Sequence, residues 1–383
     1  AGNLVAPSPP TACDTIVVGA GIVGLATARE ALLRRPGSHV VVLERSADVA
    51  GGQTARNSGV IHAGVSYAPG SLKARLCTEG ARRLYALCDE LGIPAERCGK
   101  LIVATTPEEI PRIESLRLSA QKNGVDLEMI DASRIAQMEP AVYGLKALYS
   151  HTTGIIDTHS LMKRFETNIL NNGGHIVYGS EVTGIIKING GYEVTVLEAD
   201  NTSYSFTTRI LINSGGLASD RISAIAGIKD DDLSLRFCKG EYFRVRPPKN
   251  KLITRLVYPV PCNNLEGVGI HATIETGGGL KLGPDVTYID SGTYNYKMTP
   301  SKQELFWKSA RKYLPSLEYD DLVPEMAGIR PKLQGPGEPV KDFYIREESD
   351  RGLKGFINLI GIESPGLTSC ISIANYVANL ILI

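Results

Sequence analysis

Gly19-Ala20-Gly21-Ile22-Val23-Gly24 fits the spacing GxGxxG, and Glu44 follows Gly24 by 20 residues. The chemistry that such a pattern serves is the binding of a dinucleotide pyrophosphate. Gly19 suits the tight turn, Gly21 lets the main chain approach the phosphates, and Gly24 lets a helix lie close to a strand. The free N–H groups at a helix start add a partial positive charge. Glu44 is placed to accept hydrogen bonds from an adenosine ribose. These residues act together only if a strand leads into the loop and a helix leads out. Asp14 to Val18 is a short β-branched run, and Gly21 to Arg34 carries Leu25, Ala28 and Leu32 at helical spacing until Pro36-Gly37 stops it. Val40 to Leu43 reads as the next buried strand. Strand, glycine turn, helix and strand form a βαβ unit, which requires a parallel sheet. Two features favour FAD over NAD. Arg45 is followed by the glycine-rich Gly51-Gly52 rather than by another βα repeat, and Ile210-Leu211-Ile212-Asn213-Ser214-Gly215-Gly216 resembles the second glycine turn that flavoproteins set beside the first.

The remaining chain divides by pattern. An irregular glycine-rich segment runs from Ala50 to Gly70, before a helix with Leu72, Leu76, Gly80, Leu84, Leu87 and Leu91 on one stripe. Gly99 to Thr105 predicts a strand and Pro107 to Lys122 a helix; short strands and turns fill 126–150. A helix around Ser160 to Leu170 ends at Asn171-Asn172-Gly173-Gly174. Strands at 181–188, 191–197 and 203–207 predict a meander, followed by a separate buried strand at Ile210 to Asn213. Residues 236–300 are rich in aromatics, Gly and Pro, which marks a second, antiparallel unit. Helical character returns at Lys302 to Tyr313, and a strand, Phe356 to Leu359, and a helix, Leu367 to Ile381, complete the pattern. The expected architecture is α/β: a Rossmann-like FAD-binding domain from 14–95, 145–230 and 325–383, with an antiparallel-sheet substrate domain from 96–144 and 231–324.

Lys plus Arg and Asp plus Glu are equal at 41 each, so no global field recruits nucleic acid or a membrane surface. Seven dispersed Cys residues form no CxxC pair and no Cys/His cluster with zinc spacing, so no metal site is expected. They read as buried thiols of a reducing compartment. No apolar stretch is long enough to span a bilayer as a helix. Ala1 to Cys13 has neither the basic region nor the apolar core of a targeting peptide, so secretion is not expected.

Ala55-Arg56-Asn57-Ser58-Gly59-Val60-Ile61-His62-Ala63-Gly64 and Pro69-Gly70-Ser71-Leu72-Lys73-Ala74-Arg75-Leu76-Cys77 resemble the flavin-loop signature of the L-2-hydroxyglutarate dehydrogenases, within the larger D-amino-acid oxidase and glycerol-3-phosphate dehydrogenase group. Gly99 to Thr105, Ser150 to Ser160, Lys239-Gly240-Glu241-Tyr242, Gly328-Ile329-Arg330 and Ile362-Glu363-Ser364-Pro365-Gly366-Leu367-Thr368-Ser369 are similar too. Pro331-Lys332 departs toward the amino-acid oxidase branch, which keeps oxidation of glycine or a D-amino acid open, as it does a non-catalytic flavin protein. The resemblance implies FAD and a 2-hydroxy dicarboxylate substrate, with peripheral membrane contact allowed; oxygen, a quinone and an electron-transfer protein stay open as the acceptor. It implies a mitochondrial location in a eukaryote and otherwise the cytoplasmic face of the inner membrane.

Oxidation of a 2-hydroxy acid needs a hydride acceptor and a base, for which His suits best when its pKa is near neutral. Of six His residues, His62 in the flavin loop and His271 in the aromatic-rich region are the candidates; His39 and His175 read as surface and His159 as a helix start. Arg330 is the candidate for the carboxylate beside the reacting carbon, because a planar guanidinium pairs with a carboxylate through two bonds. A second carboxylate directs attention to Lys239, Tyr242 and Arg56. The cofactor set is completed by Arg45, Arg56, Asn57, Ser58, Val182, Ser214, Gly215, Gly216, Ser364, Gly366, Leu367 and Thr368. The last four open the final helix, whose N–H groups would favour negative charge on a reduced flavin.

Overall fold

The computed structural model describes residues 11–49, 51–261 and 269–381; the N-terminal stretch before residue 11, Ala50 and Cys262 lie outside the described residues. Strand Ala12–Val18 is the centre of the first sheet. It pairs in parallel with Val40–Leu43 on one side and with Ser203–Asn213 on the other. His175–Val177 and Leu353–Ile360 extend the parallel core outward. Both faces of these strands are covered, which is why they read as continuous apolar runs rather than alternating ones. Val17, Val40 and Val42 face helices Ile22–Arg34, Leu72–Leu91, Thr158–Asn171 and Gly366–Ile381. Ile16, Val18, Val41 and Leu43 face a second core with the meander strands Glu181–Ile188 and Gly191–Leu197.

The sequence divides 203–213 into two strands, but the structure has one, Ser203–Asn213. Its first half pairs antiparallel with the meander, and its second half pairs parallel with the central strand. Arg209 is a polar residue on a continuous strand rather than a turn, since edge-to-centre transfer needs no break in the backbone.

The second sheet is predominantly antiparallel, as composition suggested, with one exception. Leu256–Pro259 runs parallel to Lys100–Ala104. The strand pairing also moves two expected boundaries. Lys146–Ser150 pairs with Lys100–Ala104, and Leu322–Lys332 pairs over its length with Arg236–Val245. Both belong to the second sheet, so boundaries at 145 and 325 would sever strands from their hydrogen-bonding partners. A small third sheet ties Val60–Ile61 of the flavin loop to Gly154–Ile156 and Ala95–Glu96.

Two helices far apart in sequence cross closely behind the flavin loop. A Cβ on Gly80 would sit 2.9 Å from Ser369 Cα of the C-terminal helix. This contact presses the start of that helix, with Thr368, toward the loop. Gly80→Val should therefore lower stability by about 1–3 kcal/mol, as overpacking does. Thermal unfolding checks this, and an unchanged melting temperature would disprove the close crossing.

Candidate functional site

The glycines of the first turn divide by cause. Gly19 adopts φ +99°, and a Cβ there would lie 2.6 Å from Ser214 O; a Cβ on Gly24 would lie 2.7 Å from Ser214 Oγ. Those two positions are closed by the protein itself. Gly21, the N-cap of helix Ile22–Arg34, has only Thr54 Oγ1 nearby, at 3.3 Å. Its open side faces two adjoining cavities, of about 260 and 110 Å³, which also share Gln53, Thr54, Ser214 and Gly216. Together they make one elongated cradle.

The smaller end is lined by Glu44, Arg45, Val182, Gly215 and Gly216. Glu44 is held by backbone donors, Ala20 N–H at 2.7 Å and Ser46 N–H at 2.9 Å, and each oxygen keeps a further lone pair for a ribose hydroxyl. The Arg45 guanidinium lies 4.9 Å from the Tyr294 ring centre. Asn213 fixes the second glycine turn by accepting from Gly215 N–H at 3.2 Å. The donors and the space at Gly21 suit the adenosine and pyrophosphate of a dinucleotide.

The larger end is bounded by Arg56, Asn57, Ser58, His62, Tyr242, His271, Arg330, Ser364, Gly366, Leu367 and Thr368, all expected from the sequence. Asn57 shapes its loop by accepting from Gly59 N–H at 2.7 Å, where Gly59 takes φ +67°. His62 N–H donates to Thr368 Oγ1 at 3.0 Å, and Thr368 Oγ1 donates to Val60 O at 3.3 Å, so the loop and the last helix are zipped together. This brings the helix N-terminus to the cavity wall.

Arg330 reaches the cavity past Gly240, which pairs with Gly328 across the two strands. A Cβ on Gly240 would meet Arg330 Nη2 at 2.7 Å, and one on Gly328 would meet Arg56 O at 2.5 Å. The guanidinium donates to Asp285 O at 3.2 and 3.1 Å and contacts Cys238 Sγ at 3.5 Å. Among the described residues no carboxylate pairs with it. Arg56 is likewise without a carboxylate; it lies 4.0 Å from the Tyr296 ring centre and donates to Ala327 O at 3.4 Å.

Lys239 is a correction. Side chains alternate along a strand, and Lys239 falls on the face opposite Gly240 and Tyr242. Its ammonium pairs with Glu241 at 3.2 Å and donates to Lys297 O, away from the cavity. His62 differs too. Burial, helped by the charge of Lys100, lowers its pKa to about 3 rather than leaving it near neutral, so it stays uncharged. His62 Nε2 is 3.5 Å from Ser364 Oγ, and His271 stacks on Tyr258 with ring centres 3.5 Å apart.

Several residues escaped the sequence reading. Thr54 accepts from Ile22 N–H at 3.0 Å and joins the flavin loop to the first helix. Glu363 lines the cavity between Lys73 and Lys332, at 3.1 and 2.8 Å; burial pushes its carboxyl up, and the two ammonium groups more than reverse this. Tyr258 was hidden in an aromatic-rich run. Lys100 carried a signal, a charge opening an otherwise apolar strand. The six described cysteines are buried and form no disulfide; among the described residues no His, Cys, Asp and Glu cluster could hold a metal, and no helix is long and apolar enough to cross a membrane.

A βαβ nucleotide cradle, continued into a roofed cavity with unneutralised guanidinium groups, defines a dinucleotide-dependent oxidoreductase acting on a small molecule. The chain belongs to the FAD dependent oxidoreductase family, whose model matches residues 14–380. It is 35% identical to the mitochondrial L-2-hydroxyglutarate dehydrogenase of Arabidopsis thaliana over 96% of this chain and 83% of that protein. It is 33% identical to the mitochondrial human protein of that name, covering 96% of this chain and 88% of that one, and 29% identical to the Escherichia coli protein, covering 96% and 92%. Among solved structures, FAD-bound L-α-glycerophosphate oxidase from Mycoplasma pneumoniae superposes with a TM-score of 0.85 at 25% identity, over 97% of this chain and 95% of that one. Glycine oxidase from Geobacillus kaustophilus superposes at 0.79 and 21% identity, over 97% and 95%, which speaks for the fold.

FAD is therefore the cofactor, and Gly21 gives its test. Gly21→Val should fold but lose most of its flavin, because the new side chain enters the pyrophosphate space. Flavin absorbance relative to protein measures this; a fully yellow variant would remove Gly21 from the cradle.

Proposed function

We propose that the chain oxidises L-2-hydroxyglutarate to 2-oxoglutarate. The observation that carries the reading is Arg330, a half-buried guanidinium in the cavity whose partners among the described residues are a backbone carbonyl and a sulfur. Such a group favours a carboxylate, which it can hold by two parallel bonds. Arg56 is the second guanidinium lining the cavity, and it suits the other end of a dicarboxylate. An amino-acid substrate would bring an ammonium to a wall already rich in positive charge, so the 2-hydroxy acid is favoured.

FAD, when bound, supplies the acceptor for the hydride from C2. Arg330 holds the carboxylate next to that carbon, and the flavin loop with the last helix keeps water from it. His62, neutral in the free protein, accepts the hydroxyl proton at Nε2. Its buried position makes it a weak base until negative charge arrives, and a bound dianion supplies that charge. Base strength thus rises with substrate in place. His271, held against Tyr258, shapes the opposite wall. The N–H groups at the start of helix Gly366–Ile381 favour negative charge at the nearby cavity end. The electrons pass on to a quinone or an electron-transfer protein, in the mitochondrion in a eukaryote and otherwise at the cytoplasmic face of the inner membrane.

Arg330→Ala should lower kcat/KM for L-2-hydroxyglutarate by about 2–5 kcal/mol, roughly 30- to 5000-fold, with flavin content unchanged. Arg330→Lys should also be poor, since an ammonium cannot present the same fork. Turnover within a few-fold of the parent would place the anchor elsewhere. His62→Gln should lower kcat by roughly 10²–10⁴. Anaerobic bleaching of the flavin band should respond to 2-hydroxy dicarboxylates and not to glycine or D-amino acids; the reverse order would refute the substrate.

A further inference from the structure

Lys100 opens strand Lys100–Ala104 and is only 4% exposed. Alternation along the strand puts it on the face of Ile102 and Ala104, which pack with Ala63 and Val65 of the flavin loop. Its ammonium lies 4.8 Å from the ring centre of Tyr258, the residue on which His271 stacks. Among the described residues the Lys100 ammonium makes no hydrogen bond and no ion pair. A buried ammonium in that state is costly, and nothing in the fold obliges the strand to begin with one.

The groups around it offer no anion. From helix Leu72–Leu91 the neighbour is Cys77, whose thiol burial pushes up to about 12. From the loop it is His62, held neutral, and from strand Leu256–Pro259 it is Tyr258, whose hydroxyl burial raises above its ordinary value. Behind Tyr258, burial also raises Tyr242 and Cys98, the latter to about 11. Glu363 is already answered by Lys73 and Lys332. Burial accordingly lowers the Lys100 pKa to about 8.

We propose that Lys100 is a positioning residue for the dicarboxylate: set behind the Tyr258 and His62 walls of the cavity without a counter-ion, its amine takes up a proton when a dianion binds and so ties affinity to pH. The step is a protonation from solvent, and it rests on the dicarboxylate reading above. The bound dianion supplies the negative charge that the protein withholds, and linkage requires that proton and ligand strengthen one another equally.

The test is binding of 2-oxoglutarate to the oxidised holoenzyme, followed by flavin absorbance and by calorimetry in two buffers of different ionisation enthalpy. The Kd should rise about tenfold between roughly pH 7 and 9, with uptake of most of one proton near pH 9. Lys100→Met should bind more weakly at neutral pH, with a flat profile and no uptake. It should also melt higher at neutral pH, because an uncompensated charge is gone. That advantage should shrink from about pH 8 to 10.5, where the unfolded wild-type chain holds a proton that the folded one has lost. A pH-independent wild-type Kd, unchanged proton uptake in Lys100→Met, or a variant no more stable than the parent would each overturn the proposal. Failure of the wild type to bind 2-oxoglutarate at any pH would instead overturn the dicarboxylate reading.

Discussion

A guanidinium taken out of water needs acceptors, and around Arg330 the chain gives it a backbone carbonyl in place of a carboxylate. Asp285 supplies that carbonyl while its own side chain accepts from Glu241 N–H at 2.7 Å and pairs with Lys302 at 2.6 Å. The Asp285 carboxylate is thereby occupied elsewhere. Gly240 clears the path for the side chain, and strand pairing between Arg236–Val245 and Leu322–Lys332 sets the register that brings it beside Arg330. A one-residue slip would turn Arg330 to the other face of the sheet.

The nucleotide end obeys a different economy. There the main chain does most of the binding, and the side chains mainly hold the main chain in place. Thr54 braces the first helix, Asn213 braces the second glycine turn, and Glu44 is oriented by two backbone N–H groups before any ligand arrives. Such preorganisation limits the ordering that binding would otherwise require.

What could be read in the sequence followed from locality. The GxGxxG turn, Glu44 and the flanking strand and helix lie within 31 residues, from Asp14 to Glu44, and strand-turn-helix periodicity specifies them without reference to the rest of the chain. Arg330 was legible from resemblance and from the chemistry of a fork. Lys239 was misread because alternation about Gly240 is visible only once the strand is known to be continuous with no bulge at that point. Lys100, Tyr258 and Glu363 gather around the cavity from segments more than 100 residues apart, and no periodicity reports such a meeting. The fusion of 203–207 with 210–213 was hidden because the strand changes partners midway, from meander to parallel core.

The zipper between Val60–His62 and Thr368 also has a kinetic meaning. Helix Gly366–Ile381 packs on helices Ile22–Arg34 and Leu72–Leu91, and strand Leu353–Ile360 completes the parallel core. During synthesis the cradle's glycine turn emerges first and the segment that closes it emerges some 340 residues later, which at ribosomal speeds is tens of seconds. Through that interval the apolar faces of both early helices lack their partner. The loop-closure entropy of so distant a contact must be met before the contact returns any stabilisation. Apolar surface therefore stays uncovered on the nascent chain, and the cradle cannot close around flavin before helix Gly366–Ile381 has emerged.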